Sequence, residues 1–224
     1  MRIPTWLVAA TTTCALLGTA GCRTSESSPE ARGSAEAGLP AVIARNRLHG
    51  VLLGQPQPKP DFVLTTTDGA SFDFRRDTEG LLTLLFFGYT HCPDVCPVHM
   101  ANIGRVLKEL PVEVTRKIRV VFVTTDPERD TPERLRGWLQ GFHPEFIGLT
   151  GTTDAIQAAQ VAARLMPAAK EIVDSAAPAN YFVSHAGQVL AFTSDGLSHI
   201  VYPFGIRQAD WANDLPILAG GWPE

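Results

Sequence analysis

Leu81-Leu-Thr-Leu-Leu-Phe-Phe87 is an almost unbroken apolar run, and few architectures can absorb one. A strand with one face in water alternates apolar and polar residues. A run without that alternation is expected of a central strand covered on both faces. It leads directly into Gly88-Tyr-Thr-His-Cys-Pro-Asp-Val-Cys-Pro97. After Cys96 the apolar residues Met100, Ile103, Leu107 and Leu110 fall on a helical stripe. Two cysteines therefore stand where a buried strand passes into a helix.

The rest of the chain extends this pattern. Asp61–Gly69 and Ser71–Phe74 alternate apolar and polar residues around Asp68-Gly69, which predicts a hairpin. Ile118-Arg-Val-Val-Phe-Val-Thr124 reads as a second buried strand. Thr131-Pro132 can cap and start a helix whose buried face carries Leu135, Trp138, Leu139 and Phe142. A further helix is expected over Thr153–Leu165. Gln188–Thr193 and Ile200–Tyr202 read as strands around a turn at Asp195-Gly196, and a last helix spans Gln208–Leu218. Strand, helix, strand, helix, hairpin and closing helix predict an α/β, thioredoxin-like sandwich. Its central mixed β-sheet is flanked by helices and carries an N-terminal β-hairpin. In such folds functional groups gather at the carboxyl ends of the central strands, and Cys92 sits at one.

The N-terminus has a different character. Arg2 precedes an apolar stretch from Trp6 to Ala20 that ends in small residues, the form of a secretory signal over residues 1–21. Cys22, directly after Ala20-Gly21, resembles the modified cysteine of a bacterial lipoprotein, although Thr19 stands where such signals usually carry leucine. Residues 22–40 are polar and rich in small side chains, so they are expected to form a tether. A lipid on Cys22 would then hold the domain of residues 41–224 at a membrane surface. The formal net charge of −4 and the lack of a basic cluster in that domain argue against nucleic acid as a partner. With Cys14 in the signal and Cys22 at the anchor, Cys92 and Cys96 are left over. Two thiols are no disulfide framework, which favours a functional pair.

At a helix start, residues four apart share a face, so both sulfurs can point to one spot. The exposed amides of a helix N-terminus favour thiolate over thiol. Two converging thiolates suit Cu(I), or zinc if further ligands exist. The same spacing also suits a small redox disulfide. A peroxidatic Thr-x-x-Cys is a poor match, because Thr90 lies two residues before Cys92. A purely structural disulfide would close too small a loop to stabilise the domain much. Three histidines compete as a further ligand. His99 sits one turn beyond Cys96 and is expected to be partly exposed, whereas His91 should point away if Cys92 points inward. His185, in Asn180–Gln188, precedes the strand leading to Asp195-Gly196, a junction expected across from the first helix's N-terminus. His143 and His199 read as surface residues.

Phe86-Phe-Gly-Tyr-Thr-His-Cys-Pro-Asp-Val-Cys-Pro97 closely resembles the signature of the Sco (SenC) proteins. Val121-Phe-Val-Thr-Thr-Asp-Pro-Glu-Arg-Asp-Thr-Pro132 resembles their second motif, and Phe146–Gly151 a third. The resemblance covers nearly all of residues 55–218. It implies a thioredoxin-like protein that binds copper through Cys92, Cys96 and a distant histidine. In the family that histidine stands in an Asp-His-Ser/Thr triplet, eleven residues before the glycine of a Pro-Asp-Gly turn. Here the turn reads Ser194-Asp-Gly196, which identifies His185, inside Ser184-His-Ala186. The ligand is kept while the flanking residues that could orient it are not.

By the same resemblance the chain is expected to be a membrane-tethered, extracytoplasmic copper chaperone. It would receive copper from an upstream donor and help assemble the copper site of cytochrome c oxidase subunit II. A thiol–disulfide oxidoreductase, with Cys92 and Cys96 as its redox pair, is the alternative.

Overall fold

The computed structural model describes residues 47–172 and 181–223. The expected signal, the tether and Cys22 lie outside the described residues. In chain order the first half comprises β1 (Val51–Pro58), β2 (Val63–Thr66), β3 (Ser71–Asp73), α1 (Phe74–Asp77), β4 (Leu82–Gly88), α2 (Val95–Glu109), α3 (Val112–Thr115) and β5 (Ile118–Thr124). The second half comprises α4 (Pro132–Gln140), β6 (Ile147–Thr150), α5 (Thr153–Ala162), β7 (Ala169–Ile172), β8 (Tyr181–Ser184), β9 (Val189–Phe192), β10 (Leu197–Tyr202) and α6 (Gln208–Ala219).

Eight strands form one mixed sheet in the order β1-β10-β9-β4-β5-β6-β2-β3, with β7 and β8 paired as a separate ribbon. β4, β5 and β6 are parallel neighbours, and β9 runs antiparallel to β4. The apolar run is explained by what covers it. Leu84 and Phe86 point into one buried cluster, with Met100 and Ile103 of α2, Leu139 of α4 and Trp211 of α6. Leu85 and Phe87 point into the cluster on the other face, with Phe62, Phe74 and Ile156 of α5. Neighbouring residues of a strand face opposite ways, so two covered faces require an apolar side chain at nearly every position. This is the expected thioredoxin-like arrangement.

The predicted hairpin is β2 and β3, registered Leu64 to Phe72, with Gly69 supplying the left-handed φ of +90° that the turn requires. Thr131 caps α4 by accepting from the Arg134 amide, and Pro132 opens that helix. The helix expected to run to Leu165 instead ends at Ala162. Arg164 adopts a left-handed φ of 59°, and the Arg164 and Leu165 amides fold back onto the carbonyls of Val161 and Gln160. That is a helix-terminating turn, made here without glycine. β10 begins at Leu197, earlier than the expected Ile200.

Candidate metal centre

β4 delivers the chain to the sheet edge at Gly88, where the backbone must pass close to α2. A methyl group added at Gly88 would lie 2.6 Å from Cys96 Sγ and 2.9 Å from the Phe86 ring. No larger residue fits without displacing the sulfur. The chain then turns, with the Cys92 amide donating to the Tyr89 carbonyl at 3.2 Å. Asp94 is the N-cap of α2, so Cys96 lies in the first helical turn. Cys92 precedes the helix, which corrects the expectation that both cysteines share a helical face. A turn, not helical periodicity, brings Cys92 round.

The result is a convergence. Ligand atoms of Cys92, Cys96 and His185 all lie within 4.8 Å of one another. Cys96 Sγ and His185 Nε2 are 3.5 Å apart. A metal with bonds of about 2.0–2.3 Å draws its donor pairs to comparable separations, so small adjustments would close this set around one ion. Cys96 is fully buried and Cys92 half-buried, and both are free thiols.

The two sulfurs differ in acidity. A hydrogen bond from the Cys96 thiol holds the Cys92 thiol far below its ordinary value, with burial opposing and His185 and the Cys96 and Asp94 amides adding to the effect. Burial pushes the Cys96 thiol well up, and its bond to Cys92 pushes the same way. Both directions favour thiolate at the more exposed sulfur and thiol at the buried one in the metal-free pair.

His185 is oriented by means other than the missing flanking residues. Its Nδ1 lies 3.1 Å from the carbonyl of Ala186. In the tautomer that donates Nδ1–H there, Nε2 carries the lone pair that a metal would need. Phe86 and Tyr89 meet the imidazole edge-on at 5.8 and 5.6 Å between ring centres. The Ser184 hydroxyl donates to the Ala169 carbonyl, which ties β8 to β7.

The other histidines lie elsewhere. His91 points away as expected, with Nδ1 3.6 Å from Asp130 and Nε2 facing Arg134. His99 is only 1 % exposed, contrary to expectation, and sits 3.0 Å from the Gly187 carbonyl. Burial lowers its pKa, with the contact to the Gly187 carbonyl opposing. It braces α2 against the segment that carries His185. His143 is half-buried against Phe146. The His199 side chain is 13 % exposed, stacked on Trp222 and bonded to Asp195. Neither is the surface residue its sequence suggests, because nearby aromatic rings cover them.

Residues 52–218 match the SCO1/SenC family. This chain belongs to that family. Among its relatives, a putative copper-binding protein of Stutzerimonas stutzeri is 36% identical over 148 residues, covering 65% of this chain and 69% of that protein. The mitochondrial SCO2 protein of Saccharomyces cerevisiae is 40% identical over 113 residues, covering 50% of this chain but 36% of the yeast protein. The shared segment is thus well under half of that longer relative. Apo Sco1 of Thermus thermophilus superposes with a TM-score of 0.63 at 30% identity, covering 76% of this chain and 94% of that one. Copper-bound ScoI of Bradyrhizobium japonicum gives 0.61 at 30% identity, with coverage of 74% and 99%.

The Sco architecture also exposes residues that sequence reasoning passed over. Asp130 and Arg129 lie in the stretch that resembles the second Sco motif, where the sequence assigns them no individual role, yet their side chains reach both ligand-bearing segments. Gly88 was quoted within a motif without a role. A glycine directly before a ligand loop was the available signal for close backbone approach.

Proposed function

We propose that this chain binds copper through Cys92, Cys96 and His185 and delivers it to the copper site of cytochrome c oxidase subunit II. The observation that carries this reading is the convergence of two sulfurs and one imidazole nitrogen within 4.8 Å. Two thiolates and an imidazole form a soft donor set suited to Cu(I). The copper-bound Sco neighbours support the choice of metal. Three ligands leave the ion open on one side, and Cys92 is the more exposed of the sulfurs. An acceptor thiolate can therefore bind before the resident ligands leave, so the metal need never be free.

We also infer extracytoplasmic placement, through the signal over residues 1–21 and a lipid on Cys22, with residues 22–40 as the tether. A related SCO1/SenC protein of Bacillus anthracis is described as a lipoprotein. No helix among the described residues is long and apolar enough to cross a membrane. Mass spectrometry of the membrane fraction should find Cys22 acylated and Cys22→Ser released.

Anaerobic Cu(I) titration of the reduced chain tests the main reading. About one copper per chain should bind, His185→Ala should weaken binding by about thirtyfold, roughly 2 kcal/mol, and Cys96→Ala should abolish tight binding. Unchanged affinity in a variant lacking both cysteines would sink the proposal.

The half-buried Cys92 thiolate beside a buried Cys96 thiol also favours a second activity. Cys92 can attack a target disulfide and Cys96 can resolve the mixed disulfide. The target then leaves as two thiols, and Cys92–Cys96 carries the oxidation. Such activity should survive His185→Ala, which separates it from copper binding.

A further inference from the structure

The loop after β5 carries two adjacent residues that hold different arms of the metal centre. Asp130 is fully buried. It accepts the Thr90 amide at 2.9 Å, the Thr90 hydroxyl at 2.5 Å and the Thr124 hydroxyl at 2.7 Å. Thr90 stands two residues before Cys92, so this carboxylate ties the cysteine loop to the end of β5.

Arg129 reaches the other way. Its Nη1 donates to the Tyr181 carbonyl at 3.0 Å, and its guanidinium carbon lies 3.6 Å from the centre of the Tyr181 ring. The Tyr89 ring on the cysteine side is 5.7 Å away. The Arg129 Nε pairs with Asp126, and the other oxygen of Asp126 accepts the Tyr181 hydroxyl at 2.9 Å. Tyr181 opens β8, which ends directly before His185. A stacked and forked guanidinium fixes a direction that a flexible ammonium cannot. The hairpin needs such a fixture: every residue of β7 is exposed, and the ribbon is not hydrogen-bonded into the main sheet.

We propose that Arg129 is a positioning residue for the metal centre. It clamps the β7–β8 hairpin through Tyr181 so that His185 faces Cys96, while Asp130 independently holds the cysteine loop. The stretch Asp126–Asp130 thereby sets the separation between the imidazole and the two sulfurs. This rests on the copper reading of Cys92, Cys96 and His185.

A double-mutant cycle on the full chain tests it, with Cu(I) affinity measured by chelator competition. Arg129→Lys keeps the charge and loses the fork. It should cost about tenfold in affinity, the lower end for groups that orient a ligand. In a His185→Ala background the same substitution should cost less than about twofold, because the residue it acts through is gone. X-ray absorption of copper-loaded Arg129→Lys should show weakened imidazole scattering with the copper–sulfur distances kept. An equal loss in both backgrounds would assign Arg129 to the general fold and overturn the proposal, as would no loss in either. Should Arg129→Lys not fold, Tyr181→Leu, which removes the stacked ring from the hairpin side, must give the same non-additive pattern. If His185→Ala alone leaves affinity unchanged, the ligand reading has failed. That result is read from the single variant, apart from any effect of Arg129.

Discussion

The arm that carries the sulfurs and the arm that carries the imidazole are built in opposite ways. Cys92 and Cys96 follow β4, every residue of which is buried, and Cys96 itself belongs to the main core. His185 follows β8, in a two-stranded ribbon where Val183 is the single buried residue of its strand. Its position depends on a few polar ties, on Tyr181, and on the edges of Phe86 and Tyr89. Packing many side chains fixes the first arm, since a close-packed core has one low-energy arrangement. A handful of directional contacts fixes the second. On the proposed function, a centre that takes up and releases copper would gain from this asymmetry. The two sulfurs would then stay put, while the imidazole could yield at modest cost.

Three measurements press on that contrast. The largest effect is expected from Phe86→Ala. The ring is fully buried, 5.2 Å from His99, 5.8 Å from Phe122 and 5.8 Å from His185. Its loss should cost about 3–5 kcal/mol of stability in urea unfolding. A loss under about 1 kcal/mol would show that the sulfur arm is less core-bound than its burial suggests.

Next comes the reactivity of Cys92. Its folded-state pKa is lowered, chiefly by the hydrogen bond from Cys96, so it should remain a thiolate well below neutral pH. Iodoacetamide labelling of the metal-free chain should stay nearly constant from pH 8.5 to 6.5, where an ordinary thiol slows by about fiftyfold. Cys96, with its pKa raised by burial, should label only on unfolding. An ordinary pH profile at Cys92 would mean that Cys96 donates no hydrogen bond to it.

The smallest effect belongs to the histidine arm. Phe182 is 47% exposed on β8, so Phe182→Ala should shift stability by no more than about 0.5 kcal/mol. A large loss in thermal unfolding would place the hairpin within the cooperative core and erase the contrast.

How much of this was legible beforehand differs between the arms in the same way. β4, α2 and β5 were readable because continuous burial writes itself into continuous or periodic apolar residues. β7 was not readable, since the exposed run Ala-Lys-Glu-Ile carries no periodicity. β1 was missed for the same reason: six of its eight residues are exposed, and prolines interrupt it. His185 emerged through family resemblance and its distance from a turn, while Arg129 and Asp130 were invisible as anchors. Their partners lie 52 and 40 residues away in the chain, beyond the reach of local pattern.

The sequence by itself determined the strand that both faces of the molecule cover, the helix that follows it, and the chemical identity of the two sulfur donors. These depend on local periodicity and residue type, which a linear chain displays. Only the tertiary structure decided that Cys92 arrives by a turn outside the helix, and that His99 is a buried brace. It also decided that one charged loop holds both ligand arms in register. Those outcomes depend on long-range contacts, whose energies are set by which surfaces meet once the sheet has formed.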